Sequence, residues 1–227
     1  MGEKFIMKLF LSALTKFLFG LLFVGLLIFL PAGTFNYPDG WNFIVILFTP
    51  IFIMGIILLI KAPELLKKRL EGKEKENTQR GVVAFSALIF MATFIVAGLD
   101  FRFKWSSVPT ALKIIAVALF LASYGIYAEV MRENAYLSRT VKVQENQKVV
   151  DSGLYGIVRH PMYAATILMF LSFPLILGSW ISFVILLTYP VIIAIRINNE
   201  EKILTKELTG YKEYKQKVKY KIIPFIY

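Results

Sequence analysis

The chain has 227 residues, of which 57% are hydrophobic and only 18% are charged. Together with a mean hydropathy of +0.65, this composition excludes an ordinary soluble domain and indicates an integral membrane protein. The sequence contains no cysteine and a single histidine. Disulfides and thiolate nucleophiles are therefore excluded, and we expect no metal site.

Uninterrupted apolar runs near bilayer length predict an all-α integral membrane protein with about six transmembrane helices. The runs fall at 9–30, 43–60, 82–99, 111–128, 162–177 and 181–195. Only Lys16 and Lys113 place a charge inside these runs. Both lie near an end of their run, where a lysine can extend its ammonium group to the interface.

The net charge of +11 is distributed unequally between the predicted loops. If the N-terminus is inside, 23 Lys and Arg residues fall on the inner side and 3 on the outer side. This asymmetry predicts that both termini and the long loops at 61–80 and 129–161 face the cytoplasm. Topology and binding to anionic membrane lipids then explain the excess charge, and we expect no nucleic-acid partner.

The last two apolar runs are short for separate spans. Sixteen residues from Met162 rise about 24 Å, less than the roughly 30 Å of the hydrocarbon core. Pro174, Gly178 and Ser179 interrupt the chain between the runs, which predicts a helical hairpin over 162–195 with a tight turn at or below the outer surface. The hairpin would place residues 159–163 next to residues 196–201.

Those two segments carry residues suited to ligand binding. Gly153 permits a close approach of the backbone to a ligand. Pro161 suits the first turn of a helix, where free N–H groups could receive a carboxylate. Arg196 and Glu200 lie one turn apart on a helix, with Glu201 one step round. The residues predict a site at the membrane boundary that offers backbone donors, a guanidinium and carboxylates.

Each of these residues also has a simpler interpretation when taken singly. His160 could be an interfacial residue that caps a helix. Arg196 could be a topological anchor paired with Glu200, and Glu201 could belong to a solvated helix face. The tyrosines of both segments could form part of an aromatic belt. Their joint order and spacing, however, match a known pattern.

The pattern is Arg-His-Pro-x-Tyr at 159–163, followed by Arg-x-x-x-Glu-Glu at 196–201 and Gly-Tyr-x-x-Tyr at 210–214. It resembles the isoprenylcysteine carboxyl methyltransferase family, in particular its prokaryotic branch, and the related phospholipid methyltransferases. The upstream residues that extend the resemblance are Glu133, Asn134, Ser138, Val143 and Gln144.

The resemblance implies two regions. Residues 1–128 would form an N-terminal transmembrane scaffold of four helices. Residues 129–227 would bind S-adenosylmethionine in a pocket on the cytoplasmic side of a prokaryotic cell membrane. The sequence does not predict an oligomeric state.

The resemblance also implies roles for individual residues. The cofactor-binding residues would be Gln144, Gln147, Lys148, Val149, Val150, Gly153, Tyr155, His160, Pro161, Met162, Tyr163 and Glu200. Arg196 would hold the carboxylate of the substrate, and Arg159 and Glu201 would be further catalytic residues. If the nucleophile were an amine, Glu201 or His160 would be the candidate base. The sequence departs from the family pattern at Gln147, often histidine, and at Ala164, commonly glycine.

The implied activity is methyl transfer to a lipid-like or prenylated small substrate, with a carboxylate such as that of an isoprenylcysteine favoured. N-methylation of a phospholipid amine is the alternative, and the residues do not separate carboxylate, amine and thiol acceptors. Two other functional classes fit the sequence less well. An NADPH-dependent membrane reductase would have a longer bundle, and an adaptor or transporter component would be expected to place ionisable residues at mid-membrane.

Overall fold

The computed structural model describes residues 3–70, 77–137 and 143–227. Within these ranges all regular secondary structure is helical, as predicted. The elements are α1 (Glu3–Ala32), α2 (Pro38–Lys61), α3 (Pro63–Leu70), α4 (Asn77–Phe103), α5 (Thr110–Glu133), a 3-10 helix (Gly153–Gly156), α6 (Pro161–Ile176), α7 (Trp180–Leu186), α8 (Tyr189–Glu207) and α9 (Tyr211–Lys217).

Five helical segments in the described part of the chain are long and apolar enough to cross a membrane. They are α1, α2, most of α4, α5 and the combined α7–α8 unit, Trp180–Glu207. The sixth apolar helix, α6, is shorter, with 16 residues. All six apolar runs therefore form helices, and the prediction of an all-α integral membrane protein is confirmed.

The turn between α6 and α7 confirms the predicted hairpin. Gly178 adopts a φ of +81°, a left-handed conformation that glycine accepts without a steric cost. Its N–H donates to the carbonyl of Leu175 at 3.1 Å, and the N–H of Ser179 donates to Pro174 at 2.9 Å. Ser179 then caps α7 by accepting from the N–H of Ser182 at 3.1 Å. The side of the bundle that holds this turn is called the turn side below, and the side where α6 begins is called the entry side.

A buried carboxylate fixes the hairpin on the turn side. Asp100 of α4 is 1% exposed and accepts hydrogen bonds from the hydroxyls of Ser179 at 2.5 Å and Ser106 at 2.6 Å. The N–H of Ser106 donates to the same carboxylate at 2.6 Å. Near this cluster, Lys113 pairs with Asp39. The hairpin turn is therefore bound to the end of α4, and its Gly178 lies beside Asp39 of α2 and Lys113 of α5.

The centre of α6 is held by aromatic packing. Phe173 is buried, and its ring centroid lies 4.9 Å from that of Phe43, 5.7 Å from that of Phe120 and 6.1 Å from that of Phe94. These partners come from α2, α5 and α4. Aromatic contacts at such distances are favourable beyond the burial of their surface. This packing fixes α6 against three helices of the scaffold.

The last long helix differs from the prediction. The sequence predicted an end at residue 195, whereas α8 continues to Glu207. The prediction was wrong because it followed hydropathy alone, and residues 196–207 are polar but rich in good helix formers such as glutamate, lysine and leucine. Pro190 lies in the first turn of α8, where its missing N–H is tolerated. The extension places Arg196, Glu200 and Glu201 on one continuous helix.

A short basic helix on the entry side was not predicted. The loop assigned to 61–80 contains α3, whose last turn carries Lys67, Lys68 and Arg69. Leu66 of α3 is buried, and Lys16 of α1 donates to the carbonyl of Leu70 at 2.6 Å. The helix is therefore packed against the bundle.

Candidate active site

A cavity opens on the entry side, where α6, α8 and α9 meet the chain that leads into the 3-10 helix. The residues that line it are Asn134, Tyr136, Leu137, Gln147, Lys148, Val149, Val150, Tyr155, Arg159, His160, Met162, Tyr163, Arg196, Glu200, Leu204, Leu208, Tyr211 and Tyr214.

Most of the predicted site residues meet in this wall. They are Gln147, Lys148, Val149, Val150, Tyr155, Arg159, His160, Met162, Tyr163, Arg196 and Glu200. Four predicted residues do not line the cavity: Gln144, Gly153, Pro161 and Glu201. The predicted approach of residues 159–163 to 196–201 is thus observed.

Tyr163 bridges the two charged residues of α8 that face α6. Its hydroxyl donates to Oε2 of Glu200 at 2.5 Å and accepts from Nε of Arg196 at 2.9 Å. The guanidinium carbon of Arg196 also lies 5.9 Å from the centroid of the Tyr163 ring. Tyr163 is buried, whereas both charged residues are half-buried. A cation and an anion are therefore held side by side in the cavity wall.

Glu201 belongs to a separate, buried ion cluster. Its Oε1 lies 2.7 Å from Nε of Arg159 and 3.2 Å from Nε2 of His160. Its Oε2 lies 3.2 Å from Nζ of Lys215. The side chain of Glu201 is 7% exposed and that of Arg159 is 6% exposed. These contacts tie α8 to the start of α6 and to α9.

The backbone before α6 pairs with residues 218–221. The N–H of Arg159 donates to the carbonyl of Tyr220 at 2.9 Å, and the N–H of His160 donates to that of Lys221 at 2.8 Å. Nη1 of Arg159 also donates to the carbonyls of Val218 and Lys219, both at 2.7 Å. The expectation that the N–H groups near His160 receive a ligand carboxylate is therefore wrong, because carbonyl groups of the chain already occupy them.

Gly153 serves a different contact from the one expected. It has a φ of +54°, and a Cβ at this position would collide with the carboxylate of Glu133. The neighbouring N–H of Leu154 donates to that carboxylate at 3.0 Å. The close approach that requires glycine here is thus to Glu133 of α5. The N–H of Leu154 is therefore not available to a ligand.

Gln144 does not line the cavity but forms hydrogen bonds to two residues that do. Its side-chain amide donates to the carbonyl of Tyr136, and its N–H donates to Oε1 of Gln147 at 2.8 Å. The N–H of Gln147 in turn donates to the carbonyl of Gln144 at 3.1 Å. The structure thus places Gln144 in a turn that holds Tyr136 and Gln147, which both line the cavity. Ser138, also part of the resemblance, lies outside the described residues.

Three tyrosines, Tyr155, Tyr211 and Tyr214, contribute to the cavity wall. The hydroxyl of Tyr214 donates to the carbonyl of Tyr155 at 2.8 Å, and Nδ2 of Asn134 donates to the Tyr155 hydroxyl at 2.9 Å. Burial raises the pKa of Tyr155 to about 12, although the bond from Asn134 opposes the shift. Burial also raises the pKa of Tyr211. Both phenols are therefore neutral near pH 7.

The hydroxyl of Tyr211 is an unused polar group in this wall. The residue is 4% exposed, and among the described residues its hydroxyl has no hydrogen-bond partner. A buried hydroxyl without a partner costs free energy. A ligand in the cavity that accepts or donates a hydrogen bond would remove that cost.

Sequence reasoning did not assign seven of the lining residues to the site: Asn134, Tyr136, Leu137, Leu204, Leu208, Tyr211 and Tyr214. A signal existed for five of them. Asn134, Tyr211 and Tyr214 belong to the pattern that carries the resemblance, although no role was inferred for them. Leu204 and Leu208 follow Glu200 at intervals of four, so all three share one face of a helix.

Residues 111–210 match the family model described as phospholipid methyltransferase. The matched range includes α5, α6, α7 and α8 and every residue predicted for the site. No curated protein matches the sequence. The match favours a methyltransferase over the reductase and adaptor alternatives. It supports a membrane methyltransferase of the phospholipid and isoprenylcysteine methyltransferase kind.

Proposed function

We propose that this protein transfers a methyl group from S-adenosylmethionine to a carboxylate of a lipid-like or prenylated acceptor, at the cytoplasmic face of the membrane. The observation that carries the proposal is the Arg196, Tyr163 and Glu200 arrangement. It places a guanidinium and a carboxylate in one cavity wall, where α6 enters the apolar bundle.

The lining residues fit the chemistry of this cofactor. Because S-adenosylmethionine carries an ammonium, a sulfonium and a carboxylate, its site needs both acceptors and donors. Glu200 is suited to accept from the ammonium or the ribose. The unpartnered hydroxyl of Tyr211 is suited to donate to the carboxylate. The apolar part of the wall, which includes Met162 and Leu204, would contact the adenine ring. When bound, the cofactor supplies an electrophilic methyl group.

The residues of the chain would act mainly by alignment. Methyl transfer is an in-line displacement, for which orientation supplies much of the rate. A carboxylate acceptor has no proton to lose, so no general base is required. Arg196 would bind that carboxylate through its planar guanidinium. Its bond to Tyr163 fixes the direction of the side chain.

The charge of the cavity wall favours an anionic acceptor. Lys148, Arg196 and Arg159 line the cavity together with Glu200, while the charge of Arg159 is offset by Glu201. The remaining excess is positive, and a bound cofactor with a net positive charge would increase it. A carboxylate substrate would therefore be attracted to the site and an ammonium repelled.

A phospholipid amine is the second candidate, supported by the description of the matching family model. An amine acceptor must lose a proton before or during transfer. His160 lines the cavity and would be the base, whereas Glu201 lies outside the lining and contacts Arg159, His160 and Lys215.

Calorimetry with the purified protein in detergent tests cofactor binding. We expect S-adenosylhomocysteine, the demethylated product, to bind. Glu200→Gln should weaken binding by about 10- to 100-fold, since a hydrogen bond to a charged group contributes about 1.5–3 kcal/mol. Glu213→Gln is the matched control, because Glu213 is an exposed residue of α9.

Two outcomes would contradict the cofactor assignment. The first is an absence of binding at millimolar ligand by a protein that is folded and monodisperse. The second is equal affinity for the wild type, the Glu200→Gln variant and the Glu213→Gln variant, which would show that Glu200 does not contact the cofactor.

A further inference from the structure

The segment 223–227 exposes large apolar side chains outside the transmembrane helices. Phe225 is 86% exposed, Ile226 is 78% exposed and Ile223 is 49% exposed. Single exposed apolar residues are common on protein surfaces, but a contiguous group marks an interaction site. The group requires a partner that is itself apolar.

The backbone just before this segment is held at a defined level of the bundle. Tyr220 and Lys221 accept hydrogen bonds from the N–H groups of Arg159 and His160, which directly precede Pro161, the first residue of α6. A helix of 16 residues rises about 24 Å, less than the roughly 30 Å hydrocarbon core. With the turn at the opposite boundary, we expect the start of α6 to lie at the edge of the hydrocarbon region and not beyond it.

A second contact places the segment at the same level. Nζ of Lys221 donates to Oδ1 of Asn198 at 2.8 Å. On α8, Asn198 follows Ile195, which is 48% exposed, by about one turn. Lys221 is thus bound at the point where the outer surface of α8 changes from apolar to polar.

We propose that residues 223–227 insert into the lipid interface of the leaflet on the entry side, which we predict to be cytoplasmic. Phe225 and Ile226 would contact the upper acyl chains, and Tyr227 would lie among the head groups, where tyrosine is enriched. The nearby lysines, Lys219 and Lys221, would attract anionic head groups. Aromatic, aliphatic and basic residues together are typical of interfacial anchors.

The absence of cysteine from the sequence allows a direct test by spin labelling. Phe225→Cys and Ile226→Cys would each be labelled, and the protein reconstituted in bilayers of phosphatidylcholine and phosphatidylglycerol. Electron paramagnetic resonance then measures collisions of the label with oxygen, which concentrates in lipid, and with a water-soluble nickel chelate. Lys212→Cys is the control, since Lys212 is exposed on α9.

We expect labels at 225 and 226 to collide several-fold more with oxygen than with the nickel chelate, and the label at 212 to show the reverse. Both side chains are exposed, so the substitutions remove little packing. Labels at 225 and 226 that match the aqueous behaviour of the label at 212 would overturn the proposal. This result would not depend on cofactor binding or on methyl transfer, so it is independent of the proposed function.

Discussion

Replacing Glu201 with alanine is expected to lower the free energy of unfolding by about 3–5 kcal/mol, the cost typical of removing one partner from a buried ion pair. The carboxylate of Glu201 contacts Arg159, His160 and Lys215, which come from two separate parts of the chain. Its removal would leave the guanidinium of Arg159 buried without its anion. Thermal unfolding in detergent would measure the loss.

Glu207→Ala provides the comparison, because Glu207 lies at the exposed end of the same helix. We expect that variant to unfold at nearly the wild-type temperature. If Glu201→Ala and Glu207→Ala were equally stable, the cluster around Glu201 would not hold α8 against α6 and α9.

Replacing Arg196 with lysine is expected to lower turnover by about 100-fold, the effect of a small misplacement of a reacting group. Lysine keeps the positive charge but loses the planar geometry that binds a carboxylate through two bonds. Cofactor affinity should remain near that of the wild type, because Tyr163 still donates to Glu200. Steady-state kinetics combined with calorimetry would separate the two effects.

Arg132→Lys is the matched control for this substitution, since the side chain of Arg132 is 74% exposed and pairs with Glu129 on the same helix. It should retain full activity. Full turnover in Arg196→Lys as well would show that Arg196 is only a topological anchor, and would favour an amine head group as the acceptor.

The long spans could be predicted from sequence because the length of an apolar run is a local property. The hairpin turn could be predicted for the same reason, since Gly178 and Ser179 mark it within the chain. The helix α3 and the part of α8 that follows Glu201 were not predicted, because both are short and polar. Their helical structure depends on packing, such as that of Leu66, and not on hydropathy.

Part of the candidate site could also be predicted from the sequence. The spacing of Arg196 and Glu200 places them on one face of a helix, and the hairpin places that face next to Tyr163. The hairpin also brought Arg159 close to Glu201, but the bond between Asp100 and Ser179 could not be foreseen, because these residues are 79 apart in the chain. The N–H of His160, which the sequence suggested as a donor to the ligand, donates to the carbonyl of Lys221. That contact could not be foreseen either, because it also joins distant residues.

Methyl transfer to a carboxylate acceptor can be followed with labelled S-adenosylmethionine and purified protein in detergent. The acceptors offered would be a prenylcysteine analogue and a lipid extract. A methyl ester releases its label as methanol in base, whereas a methylated amine does not. We predict base-labile label in the prenylcysteine analogue. Base-stable label in the lipid extract alone would contradict the carboxylate acceptor, and an absence of label from both acceptors would contradict the proposed activity.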